Sequence, residues 1–143
     1  INGYPGGKPI SREEFFATKA DMFLPCALEN QVGEAEARAL NVKLVGEGAN
    51  GPLNPEGEKI LLEKGVAILP DVLANSGGVT VSYYEWVQNK NSESWTLEQV
   101  DEKLESTMKR AYREVVTFAK EKGVDLRIAA YAIALQRIAV VYR

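Results

Sequence analysis

The chain has 143 residues, a formal net charge of −3 and a hydrophobic content of 45%, which suits one domain with a packed core. Its acidic and basic residues are interspersed, so it lacks the basic patch that nucleic acid or an anionic membrane surface would require. It has no histidine and one cysteine, which excludes a Ser-His-Asp triad, a histidine metal site and an internal disulfide, and fits a reducing, cytoplasmic compartment.

Residues 1–10 carry three glycines and two prolines and read as loop, with no charged start and apolar run of a signal peptide. Ser11-Arg12-Glu13-Glu14 matches a capping box and predicts a short helix to Ala17–Ala20. Met22-Phe23-Leu24 reads as a short buried strand stopped at Pro25. A helical pattern rich in Ala and Glu covers Val32–Leu40. Val42–Val45 is a second strand, with Gly46–Pro52 as the loop at its end. Asn54-Pro55 starts a helix, the first as cap and the second at the opening position, and Gly65 ends it. Val66–Leu69 is a third strand stopped at Pro70, after which Asp71 is placed to cap a helix. Strands alternating with helices predict a parallel sheet.

The pattern becomes all-helical after Trp86. A polar break falls at Asn89–Ser92, and Thr96-Leu97-Glu98-Gln99 matches a second capping box. Apolar residues then recur at helical spacing from Leu97 to Phe118, and Gly123 stops the helix. Asp125 caps a last helix with a stripe of Ile128, Tyr131, Ala132, Leu135, Ile138, Ala139 and Tyr142. Gln136, Arg137 and Arg143 argue against a membrane span.

The segment Pro70–Trp86 carries the most information. On a continuous helix Asn75, Val79, Ser82 and Trp86 share one face. Gly77 and Gly78 cost helix stability, which predicts close approach of another group to bare backbone. An ordinary helix against a core also fits this spacing. Ligands of open parallel sheets bind beyond the carboxyl ends of the strands, and three stretches sit at such ends: Pro25–Asn30, Gly46–Pro52 and Pro70–Ser82. There Gly48 and Gly51 let backbone approach a ligand and Asn50 offers an amide that donates and accepts. A tight turn that needs glycine is the alternative for Gly51-Pro52.

The run LANSGGVTVSYYEWVQN, Leu73 to Asn89, resembles the hallmark of the glutamate dehydrogenases within the Glu/Leu/Phe/Val amino-acid dehydrogenase family. LPCALEN at Leu24–Asn30 and GEGANGP at Gly46–Pro52 resemble the same family in the same order. The resemblance implies an α/β fold: the second half of a Rossmann-like parallel-sheet nucleotide-binding domain at 1–90, then C-terminal helices at 91–143 that pack back on it. It implies the C-terminal portion of an enzyme that oxidatively deaminates L-glutamate to 2-oxoglutarate and ammonia by hydride transfer to NAD or NADP. By the same resemblance, Cys26 and Ala27 line the cofactor with backbone. Asn50 and Asn75 lie near the nicotinamide ribose and carboxamide, and Val79 and Ser82 contact the substrate side chain. Cys26 stands where alanine is common, and a buried, inert thiol is expected there. A homo-oligomer, hexameric in the family, is implied as well.

The family's G-x-G-x-x-G turn, lysine-bearing substrate motif and catalytic aspartate have no counterpart in this sequence and are expected upstream, so no catalytic residue and no metal ligand is assigned here. The rival reading is a non-catalytic half-Rossmann module that docks on a partner through its helical tail. The enzyme reading places Asn75, Val79 and Ser82 on one side of a cleft, with Asn50 and Cys26-Ala27 on its other lip. It also predicts that residues 1–143 alone bind nicotinamide cofactor weakly or not at all, because a dinucleotide is held largely through its pyrophosphate on a glycine-rich turn. Calorimetric titration with reduced cofactor checks this, and micromolar binding by a clean monomer would contradict it.

Overall fold

The computed structural model describes residues 3–142. Ile1, Asn2 and Arg143, read above as part of the leading loop and the end of the last helix, lie outside that range. In chain order the elements are α1 (Arg12–Ala17), β1 (Met22–Phe23), α2 (Glu34–Ala39), β2 (Leu44–Gly46), α3 (Pro55–Glu63), β3 (Ala67–Leu69), α4 (Asp71–Ala74), α5 (Gly77–Asn91), α6 (Leu97–Lys122) and α7 (Leu126–Val141).

Local chemistry sets most of the helix boundaries. Both capping boxes form, Ser11 with Glu14 and Thr96 with Gln99. Asn54 accepts the Gly57 N–H at the start of α3, and Asp125 accepts the Ile128 N–H at the start of α7. Gly65 and Gly123 follow helices with φ of +74° and +65°, the left-handed conformation that glycine adopts without steric cost. The open carbonyls at the end of α2 are satisfied by a side chain: Lys64 Nζ donates to the carbonyls of Ala37, Arg38 and Leu40 at 3.0, 3.1 and 2.6 Å.

The sheet is parallel in the order β1-β2-β3. Val45 pairs with Phe23 on one side and Ile68 on the other. Successive side chains on a strand point to opposite faces, and each face has its own core. Val45 and Ile68 join Phe16, Val32, Ala37, Leu40, Leu53, Leu61 and Val66 in one cluster with α1–α3. Leu69, one residue on from Ile68, packs instead with Leu73, Val115, Ala119 and Ala129 of α4, α6 and α7.

Two sequence expectations fail here. Met22-Phe23-Leu24 is not a buried strand: Met22 and Leu24 are each 58% exposed, because β1 is the edge of the sheet and pairs only with β2 among the described residues. Asp71 is not the N-cap of α4 but its first residue, behind Pro70. Its own N–H is bound by the Glu47 carboxylate at 2.8 Å, so its side chain is released for other partners.

The approach of α3 to the segment before α2 is tight. A Cβ on Gly57 would stand 2.5 Å from the Val32 carbonyl oxygen and 3.1 Å from that of Gly33. Val32 O is already fixed by the Asn54 N–H at 3.1 Å, so it has little room to retreat. Alanine gains about 1 kcal/mol over glycine in an unconstrained helix, whereas overpacking costs about 1–3 kcal/mol. Gly57→Ala is therefore expected to destabilise the protein, read as a lowered midpoint in urea denaturation. A raised midpoint would mean that the backbone yields without cost.

Candidate functional site

Three loops leave the carboxyl ends of β1, β2 and β3, and the first two are stitched together by backbone. Ala49 N–H donates to Pro25 O at 2.8 Å, Asn30 N–H to Gly51 O at 2.8 Å, and Val32 N–H to Pro52 O at 2.9 Å. Gly48 is required by the stitch between the first two. A Cβ there would lie 2.6 Å from Cys26 Sγ, so the close neighbour of this glycine is the adjoining loop. Gly51, at φ +53°, has nothing within 4 Å of a Cβ position and serves the turn.

The second and third loops meet through side chains. Asp71 Oδ2 accepts the Gly51 N–H at 2.8 Å. The Asn75 amide donates to Asn50 Oδ1 at 2.7 Å and to Gly48 O at 3.4 Å. Between the loops opens a cleft of about 580 Å³ lined by Ala27, Leu28, Glu29, Gly48, Ala49, Asn50 and Asn75. Asn50 and Asn75 each spend one half of their amide on the other. The Asn50 NH2 and the Asn75 carbonyl have no hydrogen-bond partner among the described residues.

A charged cluster lies beneath the cleft. Glu47, the residue after β2, is fully buried. Its Oε2 accepts both the Asp71 N–H at 2.8 Å and Arg127 Nη2 at 2.5 Å, while Oε1 has no partner among the described residues. The Arg127 guanidinium also donates through Nη1 to Asp71 Oδ1 at 3.0 Å and through Nε to Glu58 Oε1 at 2.7 Å. Burial lowers the Arg127 pKa, but the hydrogen bonds and charges of Glu58 and Glu47 outweigh it and hold the group above its ordinary value. For Asp71, burial raises the pKa, and the N–H groups of Gly51 and Val72 together with Arg127 more than reverse this.

Of the residues singled out in the sequence, Ala27, Asn50 and Asn75 come together in the cleft. Cys26 does not. It lines an adjoining, largely apolar cavity of about 430 Å³ with Phe15, Phe16, Phe23 and Leu24, which shares Ala27 and Leu28 with the cleft. It is also exposed, contrary to the buried thiol expected, because the edge position of β1 leaves its loop uncovered. Val79 and Ser82 lie on the exposed side of α5 and do not line the cleft. The shared helical face of Asn75, Val79, Ser82 and Trp86 is interrupted: Asn75 caps the end of α4 and α5 begins only at Gly77. The glycine pair meets no close group among the described residues, since a Cβ on Gly77 would find Leu104 at an ordinary 3.8 Å and one on Gly78 would find nothing within 4 Å.

Sequence reasoning missed Glu47, Asp71 as a bridge, and Arg127. One signal was available. Arg127 occupies the first turn of α7, where a cation opposes the helix dipole, so some stronger anionic partner had to hold it there.

The Asp71 shift has a pH consequence. Its folded-state pKa lies below the ordinary 3.8. Its contribution to stability is therefore complete above that value and lost as the pH falls through the lower, folded one. Denaturation of the wild type and Asp71→Asn across acid pH should show a stability gap that is constant above roughly pH 5 and narrows below it. A gap unchanged down to the acid limit would assign the effect to something other than the carboxylate.

Known proteins resemble the chain over nearly its whole length. The profile of the Glutamate/Leucine/Phenylalanine/Valine dehydrogenases matches residues 1–143. The chain is 48% identical over 138 residues to an NAD-specific glutamate dehydrogenase of Peptoniphilus asaccharolyticus, covering 96% of this chain and 33% of that protein. It is 45% identical over 136 residues to a glutamate dehydrogenase of Thermotoga maritima, covering 95% and 33%. The crystal structure of hetero-hexameric glutamate dehydrogenase from Thermus thermophilus superposes with a TM-score of 0.88 at 38% identity, covering 95% of this chain and 33% of that one. The chain thus spans about a third of the length of the relatives it matches. With the parallel sheet and its strand-end cleft, these matches identify a Rossmann-like half-sheet with a helical tail, and the chain belongs to the Glutamate/Leucine/Phenylalanine/Valine dehydrogenase family.

Proposed function

We propose that this chain is the C-terminal portion of an NAD-dependent glutamate dehydrogenase and that the strand-end cleft receives the nicotinamide end of the cofactor. The observation that carries this reading is the Asn50–Asn75 pair. Their mutual hydrogen bond leaves the Asn50 NH2 and the Asn75 carbonyl without a partner among the described residues, on two side chains that line the cleft. A primary carboxamide, which both donates and accepts, is the complement of that arrangement. The preference for NAD over NADP rests on the names of relatives such as the P. asaccharolyticus enzyme.

When bound, the cofactor supplies the hydride acceptor for oxidation of the amino-acid α-carbon. The residues of this chain hold and orient. Asn50 and Asn75 fix the carboxamide and so the face of the ring. The backbone of the segment Pro25–Ala27 forms the opposite lip, with Ala27 lining the cleft and Cys26 contributing main chain only. Val79 and Ser82, exposed on α5, are assigned to the substrate side chain by the family resemblance, with the serine hydroxyl offered to a distal carboxylate. Fixing both reactants in this way is worth a large share of the rate in a hydride transfer. Oligomerisation, which the hexameric T. thermophilus enzyme displays, is part of the same proposal. A docking module without activity gives no reason for paired asparagines at the ends of parallel strands.

Full-length protein should oxidise glutamate with NAD faster than with NADP; no turnover with either would defeat the reading. Ser82→Ala should cost one hydrogen bond to a charged group, about 1.5–3 kcal/mol. That is roughly ten- to a hundredfold in kcat/KM for glutamate, with little loss for norvaline, whose side chain carries no carboxylate. An equal loss on both substrates in steady-state assays would make Ser82 structural.

A further inference from the structure

We propose that Arg127 is the positioning residue of the cleft: from the C-terminal helix it sets the separation of the β2 loop and α4, and through them the Asn50–Asn75 pair. The inference rests on the proposed cofactor site and adds to it a residue that does not line the cleft and lies 52 positions beyond Asn75 in the sequence.

The geometry is a closed ring. Arg127 Nη2 binds Glu47 Oε2, which also takes the Asp71 N–H. Arg127 Nη1 binds Asp71 Oδ1, and Asp71 Oδ2 takes the Gly51 N–H. Glu47 directly precedes Gly48–Asn50, and Asp71 begins the single turn of helix that ends at Asn75. The two loops that carry the asparagines are thus each gripped by one prong of the same guanidinium. A planar fork of donors fixes the relative orientation of two carboxylates, which the rotatable donors of an ammonium on a flexible stem do less firmly.

Charge gives the grip a direction. Three carboxylates, Glu47, Glu58 and Asp71, surround one cation. Without Arg127, Glu47 and Asp71 would repel each other from the two sides of the cleft floor, and the 2.7 Å Asn50–Asn75 contact is the bond that opens. Stability alone is a poor reason for such a cluster, since buried ion pairs are often replaced by apolar residues at no cost. Apolar residues could not hold the N–H groups of Gly51 and Asp71.

The test uses full-length protein with Arg127→Lys and Arg127→Met. Arg127→Lys retains the charge and loses the fork. It is expected to raise KM for the dinucleotide roughly tenfold and to lower kcat, because the bound ring is held less firmly, while KM for glutamate stays within about twofold. Arg127→Met should go further in the same direction. Glu58→Gln, which frees only the prong on α3, should leave the dinucleotide KM within about twofold. Unchanged KM and kcat in Arg127→Lys, or an equal effect of Glu58→Gln, would make Arg127 a stability element and overturn the proposal. Amide hydrogen exchange is an arm independent of activity. Arg127→Lys should speed exchange at Gly51 and Asp71 selectively, leaving the α6 amides around Val115 unchanged, and uniform acceleration overturns the proposal. Wild-type protein without dinucleotide-dependent glutamate oxidation would instead refute the proposed function, and the exchange arm would still decide whether Arg127 fixes the loops.

Discussion

A fully buried carboxylate at the end of a central strand constrains everything around it. Glu47 follows β2 with no solvent contact, where an isolated charge costs several kcal/mol. It is tolerable only because Arg127 and the Asp71 N–H converge on one of its oxygens. That requirement pulls the first turn of α7 onto the sheet and turns the Asp71 side chain toward Gly51. It also draws the loops after β2 and β3 close enough for Asn75 to reach Asn50. The cleft is a consequence of how one charge is neutralised.

The position of that charge follows from the parallel sheet. Parallel strands send all their carboxyl ends, and the loops that leave them, to one side. Val45 and Ile68 bury one face of the sheet and Leu69 packs on the other, which leaves little of either face beyond Met22 and Ala67 open to solvent. Polar groups that must cluster can do so only beyond the strand ends. Glu47, Asn50, Asp71 and Asn75 all occur within six residues after β2 or β3.

What was legible in the sequence was local. Capping boxes, Asn54-Pro55 and the glycines at 65 and 123 mark boundaries through groups three or four residues apart, and the structure places them as read. The two asparagines were also legible, from their placement after apolar runs. Three features were not. The break between α4 and α5 is hidden because the helical spacing of Asn75, Val79, Ser82 and Trp86 runs through it. It is set by Asn75 turning its amide to the β2 loop and by Ser76 Oγ bonding Leu73 O at 2.9 Å. The exposure of Cys26 depends on which strand is the edge, and three equally short apolar runs do not say. The Arg127–Glu47 pair joins residues 80 apart, a distance at which spacing carries no information.

The exposed apolar surface follows from the same architecture. Parallel sheets are ordinarily covered on both faces and extended on both sides, yet β1 has two residues and one neighbour among the described residues. Beside it lies the apolar cavity of Phe15, Phe23, Leu24 and Cys26. On the other side of the molecule, Ile128, Tyr131, Leu135 and Ile138 of α7 are all more than half exposed, although Ala129 on the same helix is fully buried. An amphipathic helix that turned its larger apolar residues to water and a small one to its own core would be poorly built as a free surface. The arrangement is consistent with a segment spanning about a third of its relatives' length. Its inward faces close the core and the cleft, and its outward faces retain the composition of covered ones.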